Sequence, residues 1–180
     1  MLAKKTKLKN GQILTIKEAD KKDAARILEY LNEIAGETDY LTFGPGEFNL
    51  SVEQEEQFIE NCLNSNNKLF IIAEIDGMLI GGLCLQGSDK PRIQHTGEFG
   101  CSVLRKYWGL GIGTKLVETL IEWAKSSGII KKINLKVRTD NTRATEIYSR
   151  LGFVQEGVIT REFFVSGRFY DALFMGLKID

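Results

Sequence analysis

Gly97 to Thr114 reads G-E-F-G-C-S-V-L-R-K-Y-W-G-L-G-I-G-T, and Lys115 to Lys125 continues K-L-V-E-T-L-I-E-W-A-K. Phe99, Cys101 and Val103 alternate as apolar residues do along a strand. A basic, aromatic turn follows, then glycines at Gly109, Gly111 and Gly113. Beyond them Val117, Leu120, Ile121 and Ala124 recur at helical spacing and form one apolar face. The stretch predicts a strand, a glycine loop and a helix N-terminus, the junction of an α/β fold.

Such a junction presents unpaired backbone N–H groups at the positive end of a helix dipole, and glycine lets an anion approach the main chain closely. A phosphate or pyrophosphate is the natural ligand class, and the bland alternative is a glycine-rich turn before an ordinary helix. The spacing lacks the four residues and the Gly-Lys-Ser/Thr ending of a Walker loop. A dinucleotide fingerprint would need glycine at Thr114, and the following strand ends Lys136-Val137-Arg138 without an acid for a ribose hydroxyl.

Downstream, Gly128 closes the helix, and Ile133, Leu135 and Val137 alternate with Asn134, Lys136 and Arg138 in a further strand. Asp140 or Asn141 then caps a short helix, and spacing alone favours that capping role for Asn141 over ligand binding. From Phe153 to Lys178, two β-rich runs flank Ser166-Gly167 as a hairpin.

Upstream, Lys68 to Glu74 and Met78 to Gln86 read as strands joined by the two-residue turn Asp76-Gly77, and Pro91 lies in the loop before a strand expected to begin near Ile93 or Gln94. Ser51 with Gln54 forms a capping box that opens a helix stopped by Asn64 to Asn67. Asp20 caps a helix carrying Ala24, Ile27, Leu28, Leu31 and Ile34 on one side and ending before Gly36. Between these helices, E-T-D-Y-L-T-F-G-P-G-E-F-N-L pairs acids with aromatics around a Gly-Pro-Gly break. It is either a substrate-facing loop, with Glu37, Asp39 or Glu47 holding a cationic amine, or a solvated connection. Ile13 to Ile16 suggests a first strand, and Lys4, Lys5, Lys7 and Lys9 before it read as a frayed, solvated terminus.

A chain of 180 residues with 43% apolar content suits one domain, here residues 1–180. Its 24 basic and 24 acidic residues cancel, which removes the global field that nucleic acid or an anionic membrane would call for. The N-terminus lacks a signal-peptide core and the longest apolar runs, such as Leu69 to Ala73, are far too short to span a bilayer. Cys62, Cys84 and Cys101 are an odd count without a C-x-x-C pattern, as expected of reduced thiols. The expected compartment is the cytoplasm. One histidine without clustered ligands argues against a catalytic metal.

Two segments carry a resemblance. Trp108-Gly109-Leu110-Gly111-Ile112-Gly113 resembles the Gln/Arg-x-x-G-x-G/A hallmark of the GNAT family of N-acetyltransferases, with Trp108 where that family usually has Gln or Arg. Asn141, Ala144, Tyr148, Gly152 and Phe153 match every position of a second family segment, N-x-x-A-x-x-x-Y-x-x-x-G-F. The resemblance covers roughly Phe70 to the C-terminus, whose ending is similar to bacterial members that acetylate ribosomal-protein termini, polyamines or small amines. It implies a GNAT-like mixed, mostly antiparallel sheet flanked by helices, opened in a V beside the central strand. It further implies acetyl-CoA as co-substrate, held by Cys101, Ser102 and Val103, by Gly109, Leu110, Gly111, Ile112, Gly113 and Thr114, and by Asn141. The implied partner is a small-molecule or peptide amine. Oligomeric state is left open, with a homodimer among the options.

Acetyl transfer from a thioester to an amine needs a neutral amine and a proton for the departing thiolate. Tyr148 lies one helical turn beyond Ala144 and two beyond Asn141, on a shared side of the short helix, and suits the thiolate. Some family members carry a glutamate five residues before the motif Asn, where this chain has Lys136. Others use a glutamate on the strand before the glycine loop, where Glu98 sits. Alternation places Glu98, Gly100 and Ser102 on one face and Phe99, Cys101 and Val103 on the other, so Glu98 is either a base facing a cleft or a solvent-facing carboxylate. His95 precedes Cys101 by roughly 20 Å of extended strand, which excludes a Cys–His pair. Direct attack by the amine is the expected mechanism, and a catalytically silent acyl-CoA-binding module, needing the glycine loop but not Tyr148, is the rival reading.

Overall fold

The computed structural model describes residues 2–180. Its elements run β1 (Ala3–Lys7), β2 (Ile13–Glu18), α1 (Ala24–Glu37), α2 (Val52–Leu63), β3 (Leu69–Ile75), β4 (Met78–Gly87), β5 (Thr96–Val103), α3 (Ile112–Ser127), β6 (Lys132–Arg138), α4 (Thr142–Arg150), β7 (Val154–Val165) and β8 (Arg168–Lys178). The strands form one 8-stranded sheet in the order β1-β2-β3-β4-β5-β6-β8-β7. Every neighbouring pair is antiparallel except β5 and β6, which are parallel because α3 carries the chain back across the sheet between them. The mixed, mostly antiparallel sheet expected from the resemblance is the sheet observed.

Local sequence explains most element ends. Ser51 and Gln54 make the reciprocal capping box: Gln54 N–H donates to Ser51 Oγ (3.2 Å) and Ser51 N–H to Gln54 Oε1 (2.9 Å). Asp20 caps a short 3-10 turn, Lys21–Asp23, that leads into α1. Asp76 and Gly77 both take positive φ in the β3–β4 hairpin, as do Ser166 and Gly167 in the β7–β8 hairpin.

Three boundaries differ from expectation. Helix α1 runs through Gly36 to Glu37 instead of ending before the glycine, which takes helical φ there. The basic N-terminal tip is a strand, β1, paired with β2 from Ala3↔Lys17 to Lys7↔Ile13. It lies at the sheet edge, where lysines serve to block further pairing, so its charge masked a strand. β5 starts at Thr96, later than expected, because residues 91–95 are held in a turn. Thr96 N–H donates to Ile93 O (3.1 Å) and Asn67 Nδ2 to Gln94 O (3.2 Å).

The pairing registers assign the two faces of the sheet. Ser102 lies across from Gly82, and its Oγ meets Tyr30 Oη of α1 at 2.8 Å, so α1 lies on the face of Glu98, Gly100 and Ser102. Cys62 of α2 and Cys84 of β4 share a bond from Gln86, which puts α2 on that face too. Val103 belongs to the other face, as do Gly81, Ala73, Ile16 and Lys4 in the successive strands. Lys4 pairs there with Glu122 of α3. Between the helices and the sheet, Ile27, Ile34, Ile59, Ile71, Ile80 and Leu83 on one side or the other of β3 and β4 are 1% exposed or less, burial that drives the assembly at about 25 cal/mol per Å² of apolar surface.

Candidate functional site

β5 and β6 pair only over Thr96↔Lys132, Gly97↔Ile133 and Glu98↔Asn134. Past that point both strands continue, to Val103 and Arg138, without pairing to each other. The sheet therefore forks after Glu98 and Asn134, and the gap-facing main chain of Phe99 to Val103 has no strand partner on that side. This is the V-shaped opening beside the central strand.

The glycine loop stands at the open end of the fork. Gly109 and Gly111 take φ of +83° and +79°, the left-handed region in which a side chain would be strained. Gly113, by contrast, lies in the first turn of α3, so the loop proper uses two of the three alternate glycines. Gly111 is the N-cap of α3 and offers no side-chain cap, unlike Ser51 at α2. The first intrahelical bond is Lys115 N–H to Gly111 O (3.1 Å), which leaves the N–H groups of Ile112, Gly113 and Thr114 facing outward from a positive helix end. A Cβ at Gly111 or Gly113 would meet nothing within 4 Å, so the approach to these donors is open. Ile112 buries its side chain (2% exposed) and contributes main chain alone.

Trp108 and Arg143 complete this end, and Arg143 is a residue the sequence reading passed over. Trp108 Nε1 donates to Val103 O (2.6 Å), which fixes the ring against the strand end. The Arg143 guanidinium of α4 lies 5.0 Å from the Trp108 ring centroid, and one of its nitrogens would be 3.9 Å from a Cβ at Gly109. A cation is thus held beside Gly109, at the start of the glycine loop. The signal available in the sequence was its place two residues after Asn141.

On the α3 and α4 face of the fork, Asn141 is the N-cap of α4: its Oδ1 accepts from Ala144 N–H (3.3 Å). The capping role read from spacing is present. Tyr148 sets its ring edge-on to Phe99 (5.8 Å) and to Phe153 (5.9 Å), and its hydroxyl makes no hydrogen bond among the described residues. Burial, and secondarily the neighbouring Cys101, push the Tyr148 phenol well above its ordinary value. Burial likewise pushes the Cys101 thiol up to about 12, so it stays protonated at neutral pH.

Glu98 lies on the opposite face, at the apex of the fork. Its carboxylate is 3.9 Å from Lys136 Nζ, which also pairs with Glu162 of β7 at 3.0 Å. Carboxylate contact raises the Lys136 ammonium above its usual value and keeps it charged, the contact with Glu162 contributing most. Between Glu98 and Lys136, Asn134 Oδ1 is buried and accepts no hydrogen bond, a second feature the sequence reading missed. Alternation along β6 was its signal. Ser102 on this face spends its hydroxyl on Tyr30 and so offers main chain to a ligand.

The loop between α1 and α2 reaches this face through Arg138, which is 5% exposed. Its guanidinium stacks on Tyr170 (3.6 Å) and Tyr40 (4.9 Å), binds Asp140 through Nε (3.0 Å) and a terminal nitrogen (2.6 Å), and donates to Asp39 O (3.1 Å). The loop is therefore tied to the end of β6 rather than merely solvated. Two of its acids are otherwise engaged: Glu37 accepts from Arg105 N–H (2.7 Å) and Glu47 from Gly44 N–H (2.8 Å). Asp39 keeps its carboxylate free of such a bond, with its carbonyl on Arg138. Among the described residues no group of three or more His, Cys, Asp or Glu is placed to hold a metal ion, and no helix is long and apolar enough to cross a membrane.

The model of the acetyltransferase (GNAT) family matches residues 28–153, from α1 through the glycine loop to the end of the Asn141 segment. The chain belongs to the GNAT acetyltransferase family. The match begins well before Phe70, so α1 and the loop after it are part of the family pattern. Among solved structures, a GNAT-family acetyltransferase from Streptococcus pneumoniae superposes with a TM-score of 0.90 at 33% identity, covering 93% of this chain and 99% of that one. YncA of Salmonella typhimurium, solved with its cofactor acetyl-CoA, superposes at 0.81 with 23% identity over 93% and 94%. An L-amino acid N-acetyltransferase of Escherichia coli (strain K12) is 30% identical over 105 residues, which are 58% of this chain and 65% of that relative.

Proposed function

We propose that this GNAT protein is an acetyl-CoA-dependent N-acetyltransferase that transfers the acetyl group directly to a primary amine. The observation that carries the reading is the fork between β5 and β6, which runs from the uncapped N-terminus of α3 to an apex flanked by Tyr148 on one face and Glu98 on the other. The family, the acetyl-CoA of the Salmonella YncA structure and the activity named for the Escherichia coli relative support the same assignment.

In this reading the N–H groups of Ile112, Gly113 and Thr114 and the Arg143 guanidinium take the pyrophosphate of acetyl-CoA. The unpaired main chain of Cys101, Ser102 and Val103 and the Asn141 side pair with its pantetheine arm. Acetyl-CoA supplies the acyl thioester at the apex. The acceptor enters from the face of the α1–α2 loop, where Tyr40 and Tyr170 give apolar walls and Glu98 and Glu162 attract a cation. Glu98, directly or through a water, takes a proton from the acceptor ammonium so that the neutral amine attacks the thioester carbonyl, and Tyr148 gives its proton to the departing sulfur as the C–S bond breaks. Two groups on opposite faces keep the proton acceptor and the proton donor from neutralising each other.

A covalent route through Cys101 is disfavoured by the same geometry, because a thiol raised to about 12 supplies almost no thiolate at neutral pH. Three free cysteines fit a reducing compartment such as the cytoplasm.

The test is an acetyl-CoA consumption screen against amino acids, polyamines, aminoglycosides and peptide N-termini, with product mass confirmed. Turnover with at least one amine supports the assignment. Tight acetyl-CoA binding without turnover on any of the panel would instead establish the silent acyl-CoA-binding module.

A further inference from the structure

Cys62 and Cys84 lie outside the fork and take no part in acetyl transfer. Cys62 sits in the last turn of α2, 4% exposed. Cys84 sits on β4, on the sheet face that α2 covers. Gln86 Nε2 donates to both sulfurs, at 3.4 Å to Cys62 and 3.0 Å to Cys84, so a single amide holds the two thiols side by side. Gln86 is in turn directly across from Glu98.

We propose that Cys62 and Cys84 form a reversible disulfide site that reacts with a hydroperoxide, Cys62 attacking and Cys84 resolving. The two sulfurs are unequal, which is what such a pair requires. Contact with the Cys84 thiol, aided by the Gln86 amide and the Lys68 ammonium against burial, lowers Cys62 to about 7. The same contact and burial raise Cys84 well above its usual value, so it keeps its proton until needed. The charged groups around the pair are Lys68 just before β3, Glu55 on α2 and Glu18 at the end of β2, with Glu18 and Lys68 lining the same narrow crevice as Cys62. Cys101 lies on the other face of the sheet, with its thiol raised to about 12, and serves as an internal control.

The chemistry balances without a metal. The Cys62 thiolate attacks one peroxide oxygen, the O–O bond breaks, and hydroxide leaves while the sulfur is oxidised to a sulfenic acid. The Cys84 sulfur then attacks Cys62, an S–S bond forms, the S–O bond breaks, and the hydroxyl departs as water with the Cys84 proton. The two thiols lose two electrons and the peroxide gains them. A thiol reductant reverses the product.

The test uses the full chain and hydrogen peroxide, read by intact mass, peptide mapping and free-thiol titration, so its outcome is independent of whether acetyl transfer is found. Expected are a loss of two hydrogens in mass, a Cys62–Cys84 cross-linked peptide, an unreacted Cys101 and full reversal by dithiothreitol. Thiol loss should rise with pH to half its maximum near about 7. Cys84→Ser should leave a sulfenic acid at Cys62 that dimedone traps, and Cys62→Ser should slow thiol loss about tenfold or more. A cross-link involving Cys101, or equal reactivity of Cys62→Ser and the unaltered chain, would overturn the assignment. So would peroxide treatment of the unaltered protein that yields no cross-link at all.

Discussion

Tyr148→Phe isolates a single hydroxyl. The ring contacts with Phe99 and Phe153 at 5.8 Å and 5.9 Å survive the change, since phenylalanine keeps the ring. The hydroxyl makes no hydrogen bond among the described residues, so its removal strands no partner there. Stability should therefore move by no more than about 0.5 kcal/mol, or about 2 °C in Tm. Turnover should respond quite differently. A positioned general acid contributes about 10² to 10⁴ in rate, or about 2.7 to 5.4 kcal/mol. The departing group here is a thiolate whose conjugate acid has a pKa near 8.5, a fair leaving group unaided, so the expected loss lies toward the lower end, about 10².

The pH dependence carries a second check on the same residue. Burial raises the folded-state pKa of the Tyr148 phenol above its unfolded value of about 10, so the folded protein holds this proton throughout an assay between pH 6 and about 9. Tyr148 remains a competent acid across that window, and no alkaline fall in kcat/KM below about pH 10 should originate from it. Above that pH the sign reverses for stability: the unfolded chain loses the proton first, so stability falls as pH rises, and the Phe variant escapes that loss. The assays are thermal unfolding and steady-state kinetics on the amine found by the screen. Unchanged turnover in a stably folded Phe variant would refute the assigned role.

Gly111→Val should weaken acetyl-CoA binding about tenfold or more by calorimetry, because a branched side chain at φ +79° both strains the loop and stands before the outward N–H groups; equal affinity would remove the pyrophosphate from this loop. Arg143→Ala should raise the Kd for acetyl-CoA about tenfold and flatten its salt dependence, the share expected of one exposed charge-assisted contact to phosphate. If Glu98 is the base, Glu98→Gln should depress kcat/KM near pH 7 and recover toward about pH 9 to 10, where the acceptor, with a pKa of about 10.4, deprotonates without help. A deficit that stays flat with pH would assign deprotonation to solvent. Arg138→Met should raise KM for the amine several-fold with little change in acetyl-CoA affinity, because it frees the α1–α2 loop from β6. A matched loss of both affinities would mark Arg138 as a general support of the fork.

What could be read from the sequence was local. The glycine loop, the α2 capping box and the Asp76-Gly77 turn are set by residues within a few positions of one another, and each stands where its chemistry predicts. Alternation along β5 likewise separated Glu98 and Ser102 from Phe99 and Cys101 before any partner strand was known. β1 escaped because its lysines guard an edge and bury almost nothing, so no apolar period marked it. Gly113 was grouped with its neighbours since spacing alone does not say which glycine becomes the helix cap.

The face of Glu98, Lys136 and Arg138 was illegible for a different reason. Arg138 binds Asp39 across 99 residues of chain, and Lys136 meets Glu98 and Glu162 from strands brought together only by the β5–β6–β8–β7 order. The interruption of β7 pairing between Ile159 and Phe163, with Arg161 at φ +56° and its N–H on Asp171 Oδ1 (2.8 Å), accompanies the placing of Glu162 beside Lys136. None of these contacts has a period or a short motif. The half of the fork proposed for acetyl-CoA is built largely of main chain and helix dipole, which many side chains permit. The half proposed to choose the amine is built of side chains from the α1–α2 loop, β6 and β7. Acceptor preference should therefore change with Tyr40, Lys136 and Glu162 while acetyl-CoA affinity does not. Charge reversal at Lys136 is the sharpest form of that separation. Lys136→Glu places a third carboxylate beside Glu98 and Glu162, so kcat/KM should shift toward acceptors of higher positive charge, with Kd for acetyl-CoA held constant. An unchanged acceptor ranking would move the selecting surface away from this face.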